Sequence, residues 1–246
     1  MAISFDLKGK TFRHEEYKDY KATRVKAPDE LYAQFPRIKE LVRDFGIPIY
    51  EIEGFEADDV LGTLAKQAEK EKDIYSYIVT GDMDTLQLVT DKTKVLSTVK
   101  GLTETVIYDI PKVLGKYGIS PSQVPDLKGL KGDASDNIKG VAGIGEKTAT
   151  ALLQKFGNLE NIYEHLDEIN GAVHGKLEKG KESAFLSRRL ATIVVDVPVQ
   201  FVLEKCAVKK FQKEKLISLF TELEFKSLIA KLNGIKLPVE NQQTLF

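Results

Sequence analysis

The feature that most limits how this chain can fold is a rhythm: within the first 120 residues, short β-rich runs alternate with apolar residues at helical spacing. Ala2 to Phe5 reads as a buried strand ending in Asp6, Ile47 to Ile52 as a second, and Ile74 to Thr80 as a third that runs into Gly81-Asp82. Between them, Leu31, Phe35, Ile38, Leu41, Val42 and Phe45 keep helical spacing, with Pro36 as a kink and Gly46 as the stop. Phe55, Val60, Leu61, Leu64 and Ala65 mark another helix, and shorter strands are expected at Lys94 to Ser97 and Thr105 to Tyr108. This alternation predicts an α/β fold with a mostly parallel sheet flanked by helices, whose ligands gather at the carboxyl ends of the strands.

After Pro121 the character changes to short helices with glycine turns, no strand until Ala191 to Val195, a final helix from Gln212 to Leu232, and a frayed tail from Leu237 to Phe246. A boundary is expected near Ile119 to Val124, giving a core of residues 1–120 and a second part of residues 121–246. Apolar runs such as Ala191 to Val195 are too short for a bilayer, and MAISFDLKGK holds no signal-peptide stretch, so no membrane partner and a cytoplasmic location are expected. The single cysteine, Cys206, excludes an internal disulfide and a cysteine-rich zinc cage. A net charge of -1 argues against coating nucleic acid by bulk attraction. Yet between Asp6 and Lys26 seven basic residues, Lys8, Lys10, Arg13, Lys18, Lys21, Arg24 and Lys26, face four acidic ones. By itself that stretch reads first as a solvated helix face.

The chemistry-bearing residues are carboxylates: Asp6 at a strand end, Glu56-Ala57-Asp58-Asp59 opening a helix, Asp82-Met83-Asp84 after a strand, and Asp133 with Asp136 in a glycine-flanked loop. Each alone can be a helix cap or turn former. Together, three of the clusters are expected along one sheet edge, where crowded carboxylates repel unless a cation neutralises them. An oxygen-only donor set favours two Mg²⁺ or Mn²⁺ ions over zinc, and such ions hydrolyse phosphodiesters. Asp82-x-Asp84 also resembles the signature of haloacid-dehalogenase-like phosphatases, although the following threonine stands one position early for that family.

Gly140-Val141-Ala142-Gly143-Ile144-Gly145-Glu146-Lys147-Thr148 sets three glycines before a helix running to Phe156. The segment is not a P-loop, because Glu146 separates the last glycine from Lys147. It suits the approach of a phosphate backbone, and equally a plain helix-to-helix turn.

Four motifs, FDLKGKTFRHEEYKDYKATR, GFEADDVLGTLAKQAEK, VTGDMDTLQLV and GDASDNIKGVAGIGEKTATALL, occur in an order that resembles the 5'-nuclease (5'-3' exonuclease) domain of bacterial DNA polymerase I, of the flap endonuclease family. The likeness runs from Phe5 to about Leu232. It implies a PIN-like α/β core, a helical arch at about residues 8–35, and a helix-hairpin-helix (helix-three-turn-helix) element that grips duplex DNA. It implies metal ligands at Asp6, Glu56, Asp58, Asp59, Asp82, Asp84, Asp133 and Asp136. It sets Tyr20, Lys21 and Arg24 against the scissile phosphate, and it sets Arg13, Gly140, Val141, Gly143, Ile144, Gly145, Lys147 and Thr148 along the DNA, with K⁺ a candidate ion at the hairpin. The implied activity is structure-specific cleavage of branched, flapped or nicked DNA or of RNA primers in replication and repair. A DNA-junction-binding protein without catalysis is the alternative.

The chain departs from the family in starting with Met1 directly before the segment matching Phe5-Asp6, where members first have a strand ending in Asp-Gly-Asn. The expectation is a truncated core with impaired activity, or a partner polypeptide that supplies the strand, and a separate polymerase. Met83 stands where lysine is common, and Lys139 where proline is common.

Overall fold

A computed structural model describes residues 1–100, 104–207 and 211–234. In chain order the elements are β1 (Ile3–Ser4), α1 (Phe12–Glu16), α2 (Asp29–Tyr32), α3 (Phe35–Asp44), β2 (Ile49–Tyr50), α4 (Ala57–Ala68), β3 (Ser76–Val79), β4 (Thr93–Lys100), β5 (Glu104–Tyr108) and α5 (Ile110–Tyr117). They continue with α6 (Val124–Lys131), α7 (Glu146–Phe156), α8 (Leu159–Glu164), α9 (Ala172–Ala191), α10 (Leu203–Cys206), α11 (Lys213–Glu222) and α12 (Lys226–Leu232). The chain divides into two compact units, one of residues 4–26 and 51–201, the other of residues 1–3, 27–50 and 202–246.

The α/β class is as the rhythm implied, but the three-stranded sheet is mixed. β1 and β2 form a two-stranded sheet, and β3, β4 and β5 a three-stranded one. β3 runs parallel to β4, with Ser76 opposite Thr93 and Val79 opposite Leu96, while β5 is antiparallel to β4. The link from Lys100 to Glu104 is far too short for the crossover that a parallel neighbour needs, roughly a dozen residues.

In the larger unit, Ala65, Ile78, Leu86, Val89, Val95 and Val113 pack α4 and α5 against the three-stranded sheet. Leu86, completely buried, pins a 3-10 turn over Met83–Leu88 at the carboxyl end of β3. A second core joins α6, α7, α8 and α9 through Leu127, Leu130, Leu153, Leu159, Ile162 and Leu177. A third sets Tyr20 with Ile138, Leu190 and Ala191.

In the smaller unit, Val42 of α3 and Leu216, Leu219 and Phe220 of α11 are buried, and Phe45 meets Phe211 edge-on at 5.5 Å. Cys206 is buried, with its sulfur 3.8 Å from the Tyr50 hydroxyl.

Three local readings are corrected. Pro36 does not kink one helix: it opens α3 near its first residue, after a break from α2, since proline lacks the N–H that an interior position must donate. The expected helix from Gln212 to Leu232 is two, parted where Glu224 takes φ +56°. Ala191 to Val195 is no strand: its backbone serves side chains, Val194 N–H donating to Asp59 and Ile193 N–H to Gln87, instead of a ladder. The expected tail lies outside the described residues. Among the described residues no helix is long and apolar enough to cross a membrane.

Candidate active site

The site lies in the larger unit, where four segments bring acids and bases together. The first turn of α4 supplies the acids of one segment. Glu56 is its N-cap, the Asp59 carboxylate accepts the Glu56 N–H at 3.0 Å, and the Asp6 Oδ1 accepts the Ala57 N–H at 2.7 Å. These bonds use amides that an α-helix leaves unpaired, in the end of the dipole that favours negative charge.

Asp59 does not have the exposure of a metal ligand. It is fully buried, and its oxygens accept from Arg13 at 2.7 and 2.7 Å, from Val194 N–H at 2.8 Å and from Glu56 N–H. All four lone-pair positions of a carboxylate are thereby filled. Arg13, expected along the DNA, is likewise only 2% exposed and donates also to the carbonyls of Leu190 and Thr192, both at 2.8 Å. The pair is an internal tie; a buried guanidinium cannot reach a phosphate backbone, and one unpaired there would carry a large desolvation cost.

Tyr20, Lys21 and Arg24 meet the acids from the other side. The Tyr20 hydroxyl lies 3.1 Å from Glu56 Oε2 and 3.2 Å from Asp136 Oδ2. Lys21 Nζ donates to Glu56 Oε1 at 2.7 Å, and Arg24 to Asp136 Oδ1 at 2.5 Å. Lys21 takes φ +54° and its N–H donates to the Asp136 carbonyl, so the turn carrying the two cations is fixed to the Asp136 loop. Tyr20 is 3% exposed, which does not suit the direct contact with the scissile phosphate that the resemblance implied; burial, with Glu56 and Asp136 beside it, raises its hydroxyl well above the ordinary range. Arg24 is exposed and Lys21 partly so, and these two can face a phosphate.

The carboxyl end of β3 supplies Asp82 and Asp84. Asp82 Oδ1 caps the 3-10 turn by accepting Asp84 N–H at 2.9 Å. Lys128 of α6 sits between Asp84, at 2.6 Å, and Asp133. Burial alone would raise Asp133, but Lys128 and Ser135 hold its carboxyl down, to about 2. Asp58 behaves oppositely: burial, then Asp82, Asp6 and Glu56, push it up to about 7.

That upward push on Asp58 is the burden a divalent cation relieves, and the all-oxygen donor set suits Mg²⁺ or Mn²⁺. As they stand, no three acidic, histidine or cysteine side chains among the described residues form a group able to hold an ion. Lys21 bridges Glu56 and Asp136, Lys128 bridges Asp84 and Asp133, and Arg24 pairs with Asp136, so four of the carboxylates already face cations. Lys128 carried no signal in the sequence, since a lysine five residues before Asp133 on a helix is ordinary.

The glycine hairpin is a built feature. Gly140 has φ +62°, and a Cβ there would lie 2.2 Å from the Gly132 nitrogen, so only glycine admits this approach. Its N–H donates to Ser187 Oγ and its carbonyl accepts from Ser183 Oγ, two α9 residues that the sequence gave no reason to single out. Gly140, Val141 and Ile144 are buried, with their amides bonded to Ser187, to the Leu130 carbonyl and to the Val141 carbonyl, so they shape the turn and do not themselves face DNA. Gly143, Gly145 and Lys147 are exposed, Thr148 partly so, at the amino end of α7.

Two family models cover most of this frame: one described as 5'-3' exonuclease, N-terminal resolvase-like domain, over residues 1–118, and one as 5'-3' exonuclease, C-terminal SAM fold, over residues 119–214. The chain belongs to the 5'-3' exonuclease family. Family relatives include the DNA polymerase I of Caldicellulosiruptor bescii, 48% identical over 94% of this chain, and that of Bacillus subtilis, 43% identical over 100% of it. The chain spans 27% and 28% of those relatives' lengths. Exonuclease folds with the same outline include bacteriophage T5 5'-exonuclease with bound zinc, at TM-score 0.60 and 23% identity over 94% of this chain and 82% of that one. The catalytic core of Rad2 in complex with DNA substrate has TM-score 0.62 and 18% identity, over 93% of this chain and 77% of that one.

Proposed function

We propose that this chain is a metal-dependent 5'-3' exonuclease and flap endonuclease unit that hydrolyses phosphodiesters near the 5' end of flapped, nicked or branched DNA, or of an RNA primer. The observation that carries this reading is the meeting of Glu56 and Asp136, 80 residues apart, on Tyr20, Lys21 and Arg24, with Asp58 and Asp82 alongside. Solved structures of this fold hold divalent ions or DNA: zinc in T5 5'-exonuclease, DNA and metal ions in the T5 flap endonuclease, and DNA substrate in Rad2.

Glu56, Asp58, Asp82 and Asp6 form one acidic half and Asp84 with Asp133 the other, with Asp136 tied to Glu56 through Tyr20 and Lys21; these are the residues that would hold two Mg²⁺ ions. Bound there, such ions supply a water of lowered pKa and neutralise charge on the phosphate. The chain's own groups do the remainder. Arg24 and Lys21 turn from their carboxylates to the scissile phosphate and stabilise its developing charge. Tyr20 stays buried and keeps Glu56 and Asp136 in register. Gly143, Gly145, Lys147 and Thr148 hold the duplex by its backbone, with K⁺ a candidate bridging ion, which selects shape over sequence and makes binding steeply salt-dependent. In this reading residues 1–120 carry most of the chemistry, and residues 121–246 add Asp133 and Asp136 and hold the duplex, with the two family models meeting at residues 118 and 119.

The test is incubation of the chain with a 5'-flap duplex in Mg²⁺, beside EDTA and Asp82→Ala controls. Cleavage confined to the unaltered chain in Mg²⁺ supports the reading. Binding of the flap without cleavage supports the second reading, a DNA-junction-binding protein, which is favoured by the present pairing of the carboxylates with lysine and arginine.

A further inference from the structure

The two acidic halves are not equally short of positive charge. Asp58 has no ion-pair partner among the described residues, and Asp82, Asp6 and Glu56 crowd it. Asp84 and Asp133 instead share the ammonium of Lys128, 2.6 Å from Asp84 Oδ1 and in contact with Asp133 Oδ2. The three side chains are only 18%, 20% and 9% exposed, so the attraction is little screened by water. Asp133 is held further by the N–H and hydroxyl of Ser135, at 2.8 and 2.7 Å, which fixes one end of the arrangement. Lys128 itself projects from α6, whose Leu127 and Leu130 are buried in the helical core, so its backbone is anchored, and a lysine's four-carbon stem has rotatable bonds by which the ammonium can withdraw.

We propose that Lys128 is a built-in counter-ion that competes with a divalent cation for Asp84 and Asp133, and so sets the concentration at which the second ion is held. The inference rests on the two-ion reading above and deepens it by giving the ions an order. The first ion enters at Asp58, whose own oxygens no ammonium contacts among the described residues, Lys21 being held by Glu56 at 2.7 Å. The second enters only as Lys128 withdraws, because an ammonium and a divalent ion cannot share the same oxygens at contact distance. Metal binding at the second half is therefore an exchange of cations, weaker than the carboxylate count alone implies.

The experiment is Mn²⁺ binding to the full chain without DNA, read from the electron paramagnetic resonance signal of free Mn²⁺, in the unaltered protein and in Lys128→Met, Lys128→Gln and Lys128→Arg. The unaltered chain is expected to bind in two steps. Lys128→Met and Lys128→Gln should tighten the second step by roughly tenfold and leave the first in place, a size typical of groups beside metal ligands. Lys128→Arg, which keeps a cation, should leave the second step weak. Melting curves without metal identify any variant that does not fold, and the two neutral replacements differ enough in polarity that both failing is not expected. A second step that is unchanged or weakened in a folded neutral variant overturns this inference and leaves the two-ion reading intact. Absence of Mn²⁺ binding in every protein, including the unaltered one, overturns both.

Discussion

Arg13 and Asp59 face each other through two parallel hydrogen bonds of 2.7 Å, with both side chains almost wholly removed from water. Arg13 also reaches the Leu190 and Thr192 carbonyls and Asp59 the Val194 N–H, so the pair joins α1, the start of α4 and the segment after α9. Removing one partner leaves the other charged and buried. Arg13→Ala is expected to destabilise the fold by about 3–5 kcal/mol, and simultaneous replacement of both partners by well-packed apolar residues to cost less than either single change. Urea denaturation of the two single variants and the double one measures this; a cost for Arg13→Ala below about 1 kcal/mol would mark the pair as incidental.

Tyr20→Phe keeps the ring in its cluster with Ile138, Leu190 and Ala191 and removes only the hydroxyl that spans Glu56 and Asp136. The expected stability loss is about 1 kcal/mol, while flap cleavage falls less than in Lys21→Ala or Arg24→Ala, whose side chains can reach the phosphate. Single-turnover rates on a 5'-flap substrate separate the three.

Gly140→Ala forces a Cβ into the Gly132 backbone at φ +62°, and the hairpin must open to admit it. A loss of roughly 1–3 kcal/mol is expected, with weaker duplex binding, because the exposed Gly143–Lys147 face is carried by the same turn. Thermal melting and a salt-dependent binding titration report the two effects. Gly145→Ala, where a Cβ meets nothing within 4 Å and φ is negative, should leave Tm nearly unchanged.

Asp58 makes metal-free stability depend on pH. Its carboxyl titrates at about 7 in the folded chain against 3.8 ordinarily, so the folded state binds the proton more tightly. The stability it contributes is complete below the ordinary value and is lost as pH rises through about 7. The metal-free Tm should therefore fall between about pH 4 and 8 through this group, and Asp58→Asn should flatten that fall and raise Tm at the upper end. Asp133, held at about 2, loses its contribution only as pH falls through that value, and so does not mask the effect. Added Mg²⁺ should restore stability at high pH in the unaltered chain and not in Asp58→Asn. A metal-free Tm that is flat across this range would remove the argument that Asp58 is crowded by its acidic neighbours.

What the sequence determined by itself is what depends on near neighbours. Asp82 and Asp84 follow an apolar run into a turn, Glu56 opens an amphipathic helix, and Gly140 answers a left-handed backbone; each is set by a few adjacent residues, and each could be read from them. Tertiary structure alone decided which polar groups lose their water and to whom they turn. Arg13 reads as one more base in an exposed run, but the Leu190 carbonyl, 177 residues away, takes it inside. Asp59 and Asp58 are adjacent and alike, yet the first is filled by Arg13 and Val194 while the second is left among other acids. Lys128 gained its place only when β3 and α6 brought Asp84 and Asp133 to the same ammonium. Desolvation and charge pairing depend on distances in space, and those are fixed by the packing of cores that no local spacing encodes.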